Sequence, residues 1–280
     1  MNELLGHAAG SRLLIVNCDD FGMYRAVNEA VVRSIEEGIA GSCSLMTPCP
    51  AAGHAMGLLR ERPEISFGLH LTLVCEAPGH PWGPLAARET VPSLLDPDGL
   101  LYTFDRIPDL LAAARIEEVE VEFRAQIAAA TDAGLAPTHL DWHCLADGGR
   151  ADIFDLTVDL AREYGLAVRA WLDPARGKLR ARGLPVTEPG FLDSFELDLD
   201  GKAAAYARRL REVPPGLSEW AVHPALGDEE ARAVDPDGWR VRLSDYEFLT
   251  SPRARELLRE EDIVVIDYRT LQRVWTGPHT

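Results

Sequence analysis

The apolar run Leu13-Leu14-Ile15-Val16 stops at Asn17-Cys18-Asp19-Asp20. It is followed over 24–38 by a stretch whose Val27, Ala30, Val31 and Ile35 share one helical face and whose Gly38 is a C-terminal stop. This is a strand, a polar turn and a helix. The unit recurs, with 42–47 and 65–71 reading as strands on either side of a helix at 51–61. Alternation of this kind directs a chain to an α/β fold with a largely parallel sheet.

The pattern breaks over 74–108, where Pro78, Pro81, Pro84, Pro92, Pro97 and Pro108 interrupt a stretch with few periodic apolar positions. A segment of that length within a compact domain is expected to be functional, and because it leaves the strand at 65–71 it starts on the substrate side. Regularity returns with a helix that carries Ile116, Val119, Phe123, Ile127 and Ala130 on one face and closes at Gly134. Strands are then expected at 137–143, 167–171, 191–199, 219–222 and 263–266, with helices at 152–164, 202–211 and 251–259. About eight strands and at least six helices suit a distorted (β/α) barrel better than an open sheet. With no linker and no internal repeat, 1–280 reads as a single domain.

Composition narrows the partners. The chain has 28 Lys and Arg against 45 Asp and Glu, a net charge of −17 that repels phosphate backbones and anionic lipid surfaces. Neither nucleic acid nor a membrane is therefore expected as a partner, whereas a homo-oligomer stays open. The first residues lack the pattern of a secretory signal and no apolar run approaches a membrane span, which points to the cytoplasm. Five cysteines (Cys18, Cys43, Cys49, Cys75, Cys144) with no C-x-x-C pair suggest buried free thiols rather than a disulfide framework or a thiolate zinc site.

Polar groups gather at the expected strand ends: Asp19-Asp20 after the first strand, His70 after Gly68-Leu69, His139-x-Asp141-x-His143, and His223 after Trp220-Ala221-Val222. In parallel α/β folds this edge builds active sites. Taken singly, Asp19-Asp20 reads as a solvated turn capping the next helix, His70 as a core histidine, and His223 has little support from spacing. Period-two spacing, however, sends His139, Asp141 and His143 to one face of a strand, where three ionisable groups need a metal or hydrogen-bond partners. Histidine with aspartate suits zinc and other divalent ions and leaves positions open for water and substrate. Asp20-Phe21-Gly22 lies too near the N-terminus to be a kinase motif, and no Gly-x-Ser-x-Gly elbow is present.

Together these segments resemble the YdjC-like carbohydrate deacetylases. The matching stretches are Leu14-Ile15-Val16-Asn17-x-Asp19-Asp20-Phe21-Gly22, Gly68-Leu69-His70-Leu71-Thr72-Leu73, Pro137-Thr138-His139-Leu140-Asp141-x-His143 and His223-Pro224-Ala225. The resemblance implies a distorted (β/α) barrel that removes an N-acetyl group from an amino sugar with one divalent metal, magnesium or zinc foremost and manganese or cobalt as alternatives. By the same resemblance Asp20, His70 and His143 are the metal ligands, Asp19 the catalytic base and His223 the general acid. His139, Asp141 and Trp142 are candidates for supporting the ligands or meeting the substrate, Trp142 either by stacking on a sugar or by packing in the barrel wall. Where the family usually has Ser, followed after the histidine by further histidines, this chain has Trp142 and then Cys144-Leu145-Ala146-Asp147-Gly148-Gly149.

The ligand set does not itself name the bond that is cleaved. Hydrolysis of another amide, or of an ester such as a phosphate ester, is the enzymatic alternative, against which stand the net charge and the lack of an Arg/Lys cluster beside the motifs. A non-catalytic, metal-containing sugar-binding protein is the other alternative.

Overall fold

Strand β1 (Arg12–Phe21) is buried along all but its first residue and organises the sheet. The computed structural model describes residues 2–77, 79–188 and 190–277. After β1 come α1 (Arg25–Glu36), β2 (Ser42–Leu45), α2 (Ala52–Glu61), β3 (Ser66–Leu71), β4 (Val74–Cys75), β5 (Tyr102–Thr103), α3 (Ile107–Ala113), α4 (Ile116–Thr131) and β6 (His139–Trp142). The second half holds α5 (Ala151–Tyr164), β7 (Ala167–Val168), α6 (Asp173–Ala181), β8 (Leu192–Asp193), α7 (Lys202–Glu212), β9 (Gly216–Val222), α8 (Glu229–Val234), α9 (Trp239–Leu249), α10 (Pro252–Glu260), β10 (Ile263–Val265) and α11 (Tyr268–Thr276). No helix among the described residues is long and apolar enough to cross a membrane.

Eight strands form one parallel sheet in the order β7-β6-β3-β2-β1-β9-β8, with β10 added on β1. One edge of β1 pairs with β9 from Arg12 to Cys18, while its other edge is shared between β10 at Arg12 to Leu14 and β2 at Asn17 to Phe21. The sheet curls into a distorted barrel that is left open, since β7 and β8 do not pair among the described residues. The chain at 184–188 lies in that interval. Glu188 N donates to Leu217 O at 2.6 Å and Thr187 Oγ1 to Ala170 O at 3.2 Å, while Pro185 has no N–H to offer a ladder. The expected single-domain α/β barrel is thus what the chain forms.

Several boundaries differ from expectation, each for a local reason. The supposed polar turn Asn17-Cys18-Asp19-Asp20 belongs to β1, because most of its polar groups find partners inside the sheet: Asn17 Nδ2 donates to Asp19 Oδ1 and to Ser44 Oγ, both at 2.7 Å, and Asn17 Oδ1 alone of that side chain has no partner among the described residues. The expected strand 191–199 shrinks to β8, where the Asp193 carboxylate accepts from Phe195 N at 2.9 Å and turns the chain. Helices α3, α6, α8, α9 and α11 form where the sequence reading set no helix. The α4 face does match its pattern, with Val119, Phe123, Ile127 and Ala130 all fully buried.

The segment 74–108 is a fastened wall rather than a free flap; Pro78 lies outside the described residues. Strands β4 and β5 pair in parallel, and Trp82, Val91, Leu94 and Leu101 are buried. Carboxylates on α4 hold it: Glu122 accepts from the backbone N–H of Leu85 and Ala86 at 3.0 and 2.9 Å, and Glu118 accepts from Ser93 N at 2.6 Å.

Candidate active site

Adjacent residues of a strand face opposite sides of a sheet, so Asp19 and Asp20 should diverge. They converge because Asp20 sits in the left-handed region at φ 65° and the β1–β2 register shifts between Cys18 and Phe21. Aspartate tolerates that conformation better than most residues, and such an irregularity re-aims a side chain. Gly22 completes the bend at φ 103°; a Cβ there would stand 3.0 Å from Met46 O.

Both carboxylates open on a cavity of about 710 Å³ at the C-terminal ends of the strands, lined by His70, Glu76, His143 and His223 among others. Asp20 Oδ1 lies 3.1 Å from His143 Nδ1 and 3.4 Å from His70 Nε2. Donor atoms bound to one zinc at 2.0–2.2 Å stand about 2.8–3.6 Å apart at octahedral to tetrahedral angles. Both Asp20 distances fall in that range, and one donor atom of each of the three residues lies within 4.8 Å of the other two, so they could hold a single divalent ion. His70 is oriented from behind, its Nδ1 2.8 Å from Asp141 Oδ1, which directs Nε2 to the cavity in the manner of a carboxylate supporting a histidine ligand.

Along β6 and just beyond it, period-two spacing does place His139, Asp141 and His143 on one side, at increasing height in the barrel. His139 is at the bottom, 3.5 Å from and nearly parallel to the Tyr268 ring, with Thr138 Oγ1 at 2.9 Å from Nδ1 and Ser44 Oγ at 3.2 Å from Nε2. Gly68 makes room for it: a Cβ there would lie 2.5 Å from the ring. Burial, opposed by Asp141, lowers the pKa of His139, so this histidine is a neutral packing element remote from the ligands. Trp142 is largely buried in the wall of the barrel, its Nε1 donating to Thr157 Oγ1 at 3.1 Å and its ring lying against Phe154, and it also borders the cavity.

Two arginines that sequence reasoning missed organise the carboxylates. Arg169 donates from Nη1 to Asp19 Oδ2 at 2.7 Å, from Nη2 to Asp19 Oδ1 at 2.8 Å and from Nε to Glu219 Oε1 at 2.8 Å, and it also stands 3.1 Å from Asp141 Oδ2. Arg242 donates to Asp20 Oδ2 at 2.6 Å, Glu76 Oε1 at 2.7 Å and Asp235 Oδ2 at 2.8 Å. The sequence shows no Arg/Lys cluster beside the motifs, yet the fold brings two distant arginines to them, each enclosed by three carboxylates, because a buried guanidinium requires such partners.

Electrostatics follow from this arrangement. Burial pushes the Asp19 and Asp20 carboxyls up, but Arg169 with His70 in the first case, and Arg242 with the two histidines in the second, outweigh it, so both are held below their ordinary range. Burial also opposes the charged form of His70, yet Asp141 and Asp19 raise its pKa to about 10. Another cluster, Asp19 with His70 and Asp141, is close enough for an ion, but there the Arg169 guanidinium takes the cation's place.

His223 enters from the opposite wall. Its Nδ1 lies 2.8 Å from Ser194 Oγ and its backbone N–H donates to Asp245 Oδ2 at 3.0 Å, which leaves Nε2 as the nitrogen without a hydrogen-bond partner among the described residues. Aromatic side chains complete the cavity. Trp171 meets Phe191 edge to face at 4.0 Å, and Phe195 and Phe104 are 43% and 60% exposed.

Comparison with known proteins gives a consistent picture. A family described as YdjC-like protein matches residues 13–260. The chain is 32% identical over 260 residues to a carbohydrate deacetylase from Brevibacillus brevis, covering 92% of this chain and 99% of that one. It is 30% identical over 265 residues to a carbohydrate deacetylase from Geobacillus stearothermophilus, covering 94% and 99%. A crystal structure from Enterococcus faecalis V583, carrying the provisional description cellobiose-phosphate cleavage protein, superposes with a TM-score of 0.78 at 25% identity, over 93% of this chain and 99% of that one.

Proposed function

This chain belongs to the YdjC-like protein family, and from that premise we propose that it is a metal-dependent hydrolase that removes the N-acetyl group from an amino sugar or short oligosaccharide. The observation that carries the reading is the convergence of Asp20, His70 and His143 to ion-sharing distances beside Asp19. Relatives of nearly equal length named carbohydrate deacetylase support the choice of bond.

Two imidazoles and a carboxylate suit zinc, with magnesium the other leading candidate and manganese or cobalt able to take the same donors. A divalent ion held there supplies Lewis acidity, which makes the amide carbonyl more electrophilic and water more acidic. The chain's own groups do the rest. Asp19 Oδ1 already accepts from Asn17 and Arg169, whereas Oδ2 accepts only from Arg169 and lies 3.9 Å from His70 Nε2. The lone pair left on Oδ2 thus faces the ligands, and there Asp19 takes the proton of the attacking water. As the C–N bond breaks, His223 in its protonated form gives a proton to the departing amine, each such transfer contributing roughly 10²–10⁴-fold. The products are acetate and a free amino sugar. Phe104, Trp171 and Phe195 offer flat apolar faces to the sugar rings.

The test is acetate release from N-acetylated mono- and oligosaccharides by the purified chain, before and after chelation and after return of zinc, magnesium, manganese or cobalt. Release that needs an ion supports the reading. Sugar binding without release would make the protein a binder, and release indifferent to chelation would remove the metal.

A further inference from the structure

Cys144 is the residue in the site that this reaction does not use. It follows His143 directly and holds φ 58°, a left-handed conformation that brings its Sγ back beside the preceding ring. Sγ lies 3.3 Å from His143 Nε2 and 3.6 Å from Glu76 Oε2, and the latter two atoms are 3.9 Å apart. Around a tetrahedral zinc, with Zn–S near 2.3 Å and Zn–N or Zn–O near 2.0–2.2 Å, the corresponding separations are about 3.3–3.7 Å, so the two sulfur distances match and the Glu76 carboxylate has to close by roughly 0.3 Å. The supports are in place on both flanks. Arg242 fixes Glu76 through Oε1 and leaves Oε2 to accept from the Cys144 thiol, whose proton an ion would replace, and Asp20 Oδ1 stands ready to accept Nδ1–H of His143 at 3.1 Å, the hydrogen bond that presents the Nε2 lone pair to an ion.

We propose that Glu76, His143 and Cys144 form a second cation site, selective for thiophilic divalent ions such as zinc and cadmium, which competes with the Asp20-His70-His143 site for His143. A neutral imidazole carries one proton and one lone pair. With the lone pair on Nδ1 the ring serves the Asp20 side, and with it on Nε2 it serves the Cys144 side. Occupation of the second site forms a metal–sulfur bond, releases the thiol proton to solvent and changes no oxidation state. Soft thiolate sets the selectivity: magnesium and manganese prefer oxygen and gain nothing there. The site goes beyond the deacetylase reading and shares with it only His143, so its test needs no substrate.

The experiment is a Cd²⁺ titration of the full chain followed by thiolate-to-cadmium charge-transfer absorption, together with Mn²⁺ pre-bound and monitored by its electron paramagnetic resonance. In the wild type the absorption should saturate near one ion per chain while Mn²⁺ is released. In Cys144→Ser and Cys144→Ala, both checked for native circular dichroism, the absorption should vanish and the Cd²⁺ concentration that releases half of the Mn²⁺ should rise roughly tenfold above the wild-type value, and Glu76→Gln should weaken Cd²⁺ binding roughly tenfold or more. No absorption in the wild type, or the same absorption in both Cys144 variants, would overturn the site. Absorption with Mn²⁺ fully retained would overturn the competition. Failure of acetate release leaves all of these readings intact, so the two hypotheses fall separately.

Discussion

Arg169 grips both carboxylate oxygens of Asp19, Nη1 on Oδ2 at 2.7 Å and Nη2 on Oδ1 at 2.8 Å, while its Nε holds Glu219 at the far side of the barrel. The guanidinium therefore decides which lone pair of Asp19 faces the cavity, and keeps that carboxylate ionised despite its burial.

Arg169→Lys tests this. Lysine keeps the charge but cannot span two oxygens and two further carboxylates in one plane. We expect kcat to fall about 10²-fold from misplacement of Asp19 with KM changed much less, and the melting temperature to drop, since breaking a buried ion network costs about 3–5 kcal/mol. A folded Arg169→Lys protein with undiminished kcat would show that Asp19 is oriented by something else.

Proton release accompanies metal entry. His70 has its pKa raised to about 10 against an ordinary 6.5, so the metal-free protein keeps it protonated throughout neutral pH. The stabilisation from its carboxylate partners is fully present below the unfolded value and is lost as pH rises through about 10. A ligand nitrogen must give up that proton, so metal affinity should rise with pH across the neutral range, with about one proton per ion lost from His70. Isothermal titration calorimetry in buffers of different ionisation enthalpy measures it. Binding that releases no proton, or affinity flat from pH 6 to 9, would contradict this charge state.

Gly68→Ala probes the floor of the site. The new methyl would lie 2.5 Å from the His139 ring, which cannot retreat because it is stacked at 3.5 Å on Tyr268. Overpacking of this kind costs roughly 1–3 kcal/mol, read as a lower denaturation midpoint. An unchanged midpoint would mean that His139 is not locked in place.

The residues that sequence reasoning found and those it missed differ in a physical way. Asp19, Asp20, His70 and His143 stand out as candidates because they lie at strand ends, where position along the chain determines position in space, while the choice of ligands among them comes from the family resemblance. Asp141 is legible through its period-two relation to His143. Arg242 is not, for it lies on α9 and meets Asp20 and Glu76 across 222 and 166 positions of sequence, a separation no local pattern encodes. Arg169 is an intermediate case: a lone arginine between Val168 and Ala170 in an apolar stretch signals a buried charge that needs partners, but does not say which. His139 shows the converse, a residue in a telling motif whose surroundings make it a packing element.

The most direct test of the account compares Asp19→Asn with Asp20→Asn, measuring bound metal per chain and acetate release from an N-acetylated sugar in both. Asp19→Asn keeps the shape of the side chain and all three ligands, so metal content should stay near the wild-type level while turnover falls by roughly 10²–10⁴. Asp20→Asn should lose the metal and the activity together. If Asp19→Asn instead empties the site while Asp20→Asn retains the ion, the base and ligand roles assigned here are reversed, and if Asp19→Asn turns over at the wild-type rate, Asp19 is not the base.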